Sequence, residues 1–287
     1  MPKFLLPIEL CEVVIDNLDE YDTDTQRACS LACRAFLPAS RRLLFYHVDL
    51  HNRDVAQSFL DIICSIPSPT SPIRYIRNLC LREERRGDKW VNKALPLLAE
   101  RLTEFVTILE FDTLMWNLPD NIGQITILSS FLKVRSLTMT FCKFESSKQM
   151  NQFIASFPSL DELDCSQTYW TDGPLILTAD LPQGLRSLTM DSKHSLFFHR
   201  LLSRELHPSV RTLRFHYMYR EHTEDIGILL KKIGSSLEEL RFGNLYTALG
   251  VHQGDYEGQT LSIDCNFHVT SPFYAFRRIQ QRYQSCS

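Results

Sequence analysis

The chain has 287 residues, 44% hydrophobic and 23% charged, enough to bury a large core in one or two folded domains and too apolar for a disordered chain. Its 31 basic and 34 acidic side chains leave a net charge of −3, without the positive excess that sequence-independent phosphate attraction needs, which argues against a nucleic-acid reader. No stretch approaches the roughly 18 to 20 uncharged apolar residues of a membrane span, and Glu9 interrupts the N-terminus before a signal-peptide apolar region forms.

A cytoplasmic or nuclear protein with no membrane partner is therefore expected. The nine cysteines agree, being odd in number and scattered in a chain without an Asn-x-Ser/Thr sequon. They read as reduced thiols packed as small apolar groups.

Residues 1 to 50 read as a compact helical unit. After Leu6-Pro7, with Pro tolerated in a first helical turn, Leu10, Cys11, Val14, Ile15 and Leu18 fall on one helical face and Glu9, Glu12 and Asp16 on the other. An acidic turn from Asp19 to Thr25 leads to a second helix with the stripe Ala28, Cys29, Ala32, Cys33 and Phe36, for which Asp24 or Thr25 is the candidate N-cap. Pro38 interrupts, a third helix is expected from Ala39 to Tyr46, and Val48-Asp49-Leu50 alternates like a short strand. Seven carboxylates and no Lys or Arg stand between Phe4 and Gln26, the pattern of a solvated acidic helix end or of a steering surface. A unit of about fifty residues encloses too little core for independent stability, so it is expected to lean on something else.

Residues 51 to 72 read as a helix, Val55 to Cys64, and a Pro/Ser-rich connector whose three prolines lack backbone donors and mark a boundary. Beyond it, one pattern recurs: apolar, two residues, Leu, one residue, apolar. The copies are Ile76-Arg77-Asn78-Leu79-Cys80-Leu81, Val106 to Phe111, Val134 to Met139, Leu160 to Cys165, Leu185 to Met190, Val210 to Phe215 and Leu237 to Phe242. The central leucines (79, 109, 137, 163, 188, 213, 240) are spaced by 30, 28, 26, 25, 25 and 27 residues, near the 20 to 29 of leucine-rich repeats. Helix-like text fills the intervals at Trp90 to Phe105, Asp120 to Leu132, Ser146 to Phe157, His194 to Leu206 and His222 to Ile233.

One strand and one helix per repeat predict an α/β solenoid over residues 73 to 270, with parallel strands on the concave side and helices outside. Leu261-Ser262-Ile263 reads as a degraded eighth copy, and residues 271 to 287 as a C-terminal helix or tail.

Leu6-Pro7-Ile8-Glu9-Leu10, then Ile15 and Leu18, then Cys29-Ser30-Leu31-Ala32-Cys33-Arg34-Ala35-Phe36, and finally Leu44 to Leu50 together resemble an F-box, most closely those of mushroom-forming fungi. The resemblance implies recruitment. In that family the F-box inserts its helices against the Skp linker subunit of a Skp-cullin-F-box ubiquitin ligase, and a C-terminal repeat domain holds a protein substrate. Carried onto the matching positions, the Skp contacts would be Leu6, Pro7, Leu10, Ile15, Leu18, Leu31, Cys33 and Phe36, while Val14, Ala28, Cys29 and Ala32 are expected to pack the unit onto the first repeat. Ala32 and Phe36 stand where the family commonly has Val and Trp, which reduces the apolar area offered to a partner.

No nucleotide-binding, metalloprotease or nucleophile-elbow motif is present. Cys29 and Cys33 lack the second Cys/His pair that zinc requires, and His216 and His222 lack a nucleophile that sequence can place beside them. The expectation is a non-catalytic adaptor without metal or cofactor, lending proximity while chemistry happens elsewhere in the complex.

A substrate would meet the side chains flanking the buried leucines, which alternate to the concave face. Its centre is acidic at Glu110, Asp112, Glu162, Asp164 and Asp191, and its far end basic at Arg214 and Arg241, which suits a basic segment of an unknown protein partner. The alternative reading is an F-box repeat scaffold that binds proteins without assembling a ligase.

Overall fold

The structure is a computed structural model, and it describes residues 7–18, 22–66, 71–84, 89–116, 126–171, 175–204 and 209–246. Helix α1 (Ile8–Asp16) begins directly after Pro7. Helix α2 (Thr23–Ala32) is capped by Asp22, whose carboxylate accepts the Thr25 amide at 3.1 Å, so the cap lies ahead of both Asp24 and Thr25. Bonding to Thr25 also holds the exposed Asp22 carboxyl below its ordinary range. Cys33 is extended at φ −159° and ψ 160°, which ends α2 and takes Cys33 and Phe36 off its stripe. Helix α3 (Leu37–Leu44) then starts with Pro38 in its first turn, so the proline initiates a helix where it was expected to interrupt one.

These three helices bury little. Among described residues 7–44 the buried apolar side chains are Cys11, Ile15 and Ala39, and none of them joins the continuous core of the rest of the chain. An ion pair between Arg42 and Asp16 at 2.5 Å ties α3 to α1.

The remaining elements are β1 (His47–Leu50), α4 (Arg53–Ser65), β2 (Asn78–Arg82), α5 (Trp90–Leu102), β3 (Ile108–Asp112), β4 (Ser136–Thr140), β5 (Lys143–Phe144), α6 (Ser147–Ala155), β6 (Glu162–Asp164), β7 (Tyr169–Trp170), β8 (Ser187–Met190), α7 (Ser195–Leu202), β9 (Thr212–Tyr219), α8 (Thr223–Ile233) and β10 (Glu239–Tyr246). Eight of the strands form one parallel sheet in the order β1-β2-β3-β4-β6-β8-β9-β10, and β5 and β7 pair in a second. Strands follow one another across the main sheet as they do along the chain, the topology of an α/β solenoid and compatible with a leucine-rich-repeat-like array.

The register explains the repeat. Val48, Leu79, Leu109, Leu137, Leu163, Leu188, Leu213 and Leu240 are cross-strand partners in a single row. The next inward row is Leu50, Leu81, Phe111, Met139, Met190, Phe215 and Phe242, with Cys165 following β6, and all eight are buried. A slip of one residue in any strand would turn its leucine to the opposite face, so burial fixes the register.

The first strand of this sheet lies inside the segment read as the N-terminal unit. β1 pairs with β2 along its whole length, α4 buries Ala56, Leu60 and Ile63 in the shared core, and the Pro/Ser-rich stretch runs between α4 and β2. That stretch therefore connects two elements of one array, and the sheet starts at His47. The described residues hold the seven sequence copies plus β1. The eighth copy expected at 261–263 and the tail at 271–287 lie outside the described residues.

Between Phe111 and Phe157 the core is aromatic. The Phe153 ring meets Phe111, Trp116, Phe144 and Phe157 with centroids 4.7 to 5.7 Å apart, all at the steep interplanar angles that aromatic quadrupoles favour. In the described part of the β6–β8 interval the chain runs without a helix. Buried Asn151 holds it by accepting the Thr178 and Ala179 amides at 2.8 and 2.9 Å and donating to the Ala179 carbonyl at 3.0 Å.

Candidate functional site

Helices α1 and α2 carry apolar side chains that face outward. Leu10 is 50% exposed, Val13 56%, Val14 48% and Leu31 86%, whereas core residues of the array are nearly all below 7%. The nine residues of α1 have apolar groups on two adjacent faces, and the one occupied by Cys11 and Ile15 is turned inward. Ile15, expected as a partner contact, is thereby completely buried and unavailable. Pro7, Leu10, Leu31 and Cys33 are exposed, Leu18 and Phe36 are half-buried, and Leu6 lies outside the described residues. Of the four residues expected to pack on the first repeat, Val14, Ala28 and Ala32 are exposed and Cys29 is half-buried, while the one buried residue of α2 is Gln26. Val13 carries no signal in the sequence, where the helical stripe runs through Val14.

The second surface is the open face of the sheet. Its rows are His47, Asn78, Ile108, Ser136, Glu162, Ser187, Thr212 and Glu239, and beside them Asp49, Cys80, Glu110, Thr138, Asp164, Thr189, Arg214 and Arg241. At the β1 end, Arg82 bridges Asp112 at 3.0 Å and Asp49 at 3.8 Å, so Asp112 is a neutralised carboxylate. Cys80 is buried beside this bridge, and its thiol is pushed up to about 12 by desolvation first and by the neighbouring carboxylates second.

In the centre, Glu110 accepts the Asn78 amide at 2.6 Å and Asp164 accepts the Ser166 amide and hydroxyl at 2.9 and 2.6 Å. Among the described residues no Lys, Arg or His forms an ion pair with Glu110, Glu162 or Asp164, leaving three carboxylates on β3 and β6 without a cation, on either side of the uncharged Ser136 and Thr138 of β4. Asp191 does not belong to that set. It is 1% exposed because the turn Ser192–His194 folds directly after it, its carboxylate accepts the Gln167 amide at 2.9 Å, and Lys193 stands 3.5 Å away. Burial raises its pKa against those stabilising contacts. The far end is less basic than its two arginines suggest, since Glu239 lies between them, 3.6 Å from Arg214 and in contact with Arg241.

The rim that follows β3, β4 and β6 is stiffened by cross-repeat bonds, among them Thr113 amide to Thr140 carbonyl, Gln167 amide to Asp191 and Thr168 hydroxyl to Met139 carbonyl. Thr113, Phe141 and Gln167 occupy the same repeat position and all have left-handed backbones, at φ 62°, 53° and 58°, an arrangement that costs non-glycine residues energy and is held by the ladder around it. Buried His194 bonds through Nε2 to the Thr168 carbonyl at 3.0 Å and lies 4.9 Å from the Trp170 ring. Desolvation, with the Lys193 charge adding, pushes its pKa down to about 3, so the imidazole is neutral and Nε2 is the donor. His216 and His222 pack against Tyr217 and Tyr219 respectively. Among the described residues no group of three or more His, Cys, Asp or Glu side chains is arranged to hold a metal, and no helix is long and apolar enough to cross a membrane.

No protein-family model matches the chain, and no curated protein matches it. Among solved structures it is similar to the leucine-rich repeat-containing protein LegL7 from Legionella pneumophila, at 12% identity and a TM-score of 0.35, over 77% of this chain and 82% of that one. The assignment of this chain's fold rests on its own strand ladder.

Proposed function

We propose that the protein is a substrate-receptor subunit of a Skp-cullin-F-box ubiquitin ligase, in which α1–α3 are the F-box that docks on Skp and the open sheet face holds a protein substrate. The observation that carries this reading is the outward apolar face of α1 and α2, where Leu10, Val13, Val14 and Leu31 stay exposed close together in the chain, whereas the other exposed aliphatic side chains, such as Ile62, Leu97 and Leu132, are scattered along the array. Fully covering an aliphatic side chain contributes about 1.5–3 kcal/mol, so docking would add what this small unit lacks by itself. The resemblance of residues 6 to 50 to an F-box suggests the partner's identity, and the exposed residues Pro7, Leu10, Leu31 and Cys33 are among the matching positions. The protein itself contributes position; the cysteine-bound ubiquitin and the acceptor lysine are brought together by its partners.

Co-expression with a Skp subunit tests the docking. The full chain should co-purify with Skp, and Leu10→Asp with Leu31→Asp should abolish this without lowering the melting temperature, since both side chains are exposed. Normal Skp capture by the double variant would overturn the assignment. Capture of Skp but never of cullin would replace the ligase reading with that of a scaffold. For the substrate surface, Glu110→Lys, Glu162→Lys and Asp164→Lys together should abolish binding of a basic partner, and unchanged binding would remove the acidic centre from the site.

A further inference from the structure

Each strand of the main sheet is entered through one residue that ends its preceding loop, and from β2 onward these are Arg77, Thr107, Arg135, Asp161, Arg186, Arg211 and Glu238. Because the strands are in register, these side chains form a row along the N-terminal edge of the sheet, away from the acidic face centre. Most of the charged members are already engaged. Arg77 donates to the carbonyls of Arg74 and Ile76, Arg135 meets Asp161 at 3.8 Å, and Arg211 meets Glu238 at 2.8 Å. Arg186 is exposed, and among the described residues its guanidinium has no hydrogen-bond or ion-pair partner.

Arg186 also stands where two open grooves meet. One, of about 360 Å³, runs toward Arg211 and Glu238, and the other, of about 350 Å³, runs toward Arg135 and Asp161. Both are lined by Gly184, and a Cβ there would come within 3.3 Å of the Asp161 carboxylate, so the absence of a side chain keeps the junction open. The serines along the first groove do not compete for a ligand's oxygens as donors, since Ser209 and Ser236 already donate to the carbonyls of Leu185 and Val210 at 2.6 and 2.9 Å.

We propose that this groove binds a phosphoryl group, with Arg186 and Arg211 from neighbouring repeats as its two cationic arms. Adjacent strands are about 4.8 Å apart, a spacing at which two guanidinium forks can share the oxygens of one dianion. Arg211 reaches the ligand by exchanging Glu238, and the exchange is easy because that pair is more than half exposed on both sides and such pairs contribute little. A lone carboxylate engages a single fork and gains less from the second arginine. This inference stands apart from the docking role of α1–α3.

The full chain is titrated with inorganic phosphate, N-acetyl-phosphoserine amide and N-acetyl-serine amide at constant ionic strength, and binding is followed by calorimetry. Both phosphate probes should bind and the serine amide should be silent. Arg186→Gln should lose at least tenfold in affinity with its melting temperature unchanged, while Glu238→Gln, which releases Arg211 from its competitor, should bind more tightly. Tighter binding of the phosphoserine probe would identify a phosphorylated side chain as the source, and tighter binding of inorganic phosphate the free ion. Absence of phosphate binding, or equal affinity in Arg186→Gln, would overturn the proposal.

Discussion

Acid should loosen this protein through His194. Its imidazole titrates near 6.5 in an unfolded chain and only near 3 in the folded one, so folding favours the neutral ring. A group whose folded pKa is depressed contributes stability that is fully present above the unfolded value and lost as pH falls toward the folded one. Between those limits each pH unit is worth about 1.4 kcal/mol, so the drop from neutrality to pH 5 should remove about 2 kcal/mol on account of this residue. Half-buried His199, also depressed mainly by desolvation, acts in the same direction. Asp191, whose folded pKa is raised, acts oppositely, since its contribution is present below its unfolded value of 3.8 and is lost as pH rises through the folded one.

Both of those groups persist in His194→Phe, which removes only the proton site and keeps a ring against Trp170. At neutral pH the variant should be less stable by about 1–3 kcal/mol, because the buried Thr168 carbonyl loses its donor. Urea midpoints at pH 7.5, 6.5, 5.5 and 5.0 should then show wild type converging on the variant as pH falls. Two parallel lines would refute the buried neutral imidazole.

Two further outcomes follow from packing and from thiol chemistry. Phe153→Ala removes a ring held by four aromatic neighbours and should cost about 3–5 kcal/mol in chemical denaturation. Among the described cysteines, exposed Cys33 and Cys64 should react with a thiol reagent in the native state, whereas Cys80 and Cys142, both pushed up to about 12 by burial, should react only on unfolding; native-state labelling followed by peptide mass mapping distinguishes them.

The leucine row was legible because burial acts on every strand alike, and a period near 27 residues leaves few other architectures. What eluded the sequence was which surface is covered by something distant in the chain. On α1 the apolar residues span two neighbouring faces, and only the position of α3 decides that Cys11 and Ile15 go inside while Leu10, Val13 and Val14 stay out. Asp191 occupies a strand-end position whose counterparts Asp112 and Ser166 are less buried, yet the short turn after it closes over it, and turn geometry is not written in alternation. Arg214 and Arg241 look like free charges in one dimension, but the parallel register sets Glu239 beside both. β1 is legible as a strand but its place in the sheet is not, since so short a segment matches either a helical unit's tail or an array's first rung. Arg186 carried no signal, because its distinction is the engagement of the other charges in its row.

Only Phe45 and Tyr46 separate α3 from β1, and the Tyr46 carbonyl accepts the amides of both Arg77 and Asn78 at 2.9 Å. The link from α3 to the sheet is thus two residues long, and its second residue already belongs to the first rung. A body seated on the outer side of α1 and α2 and another seated in the sheet would be joined through that two-residue link, like two jaws on a short frame. The distance between them then grows with the number of rungs counted from β1, so under the proposed ligase role the rung a substrate grips would decide which of its lysines come into range.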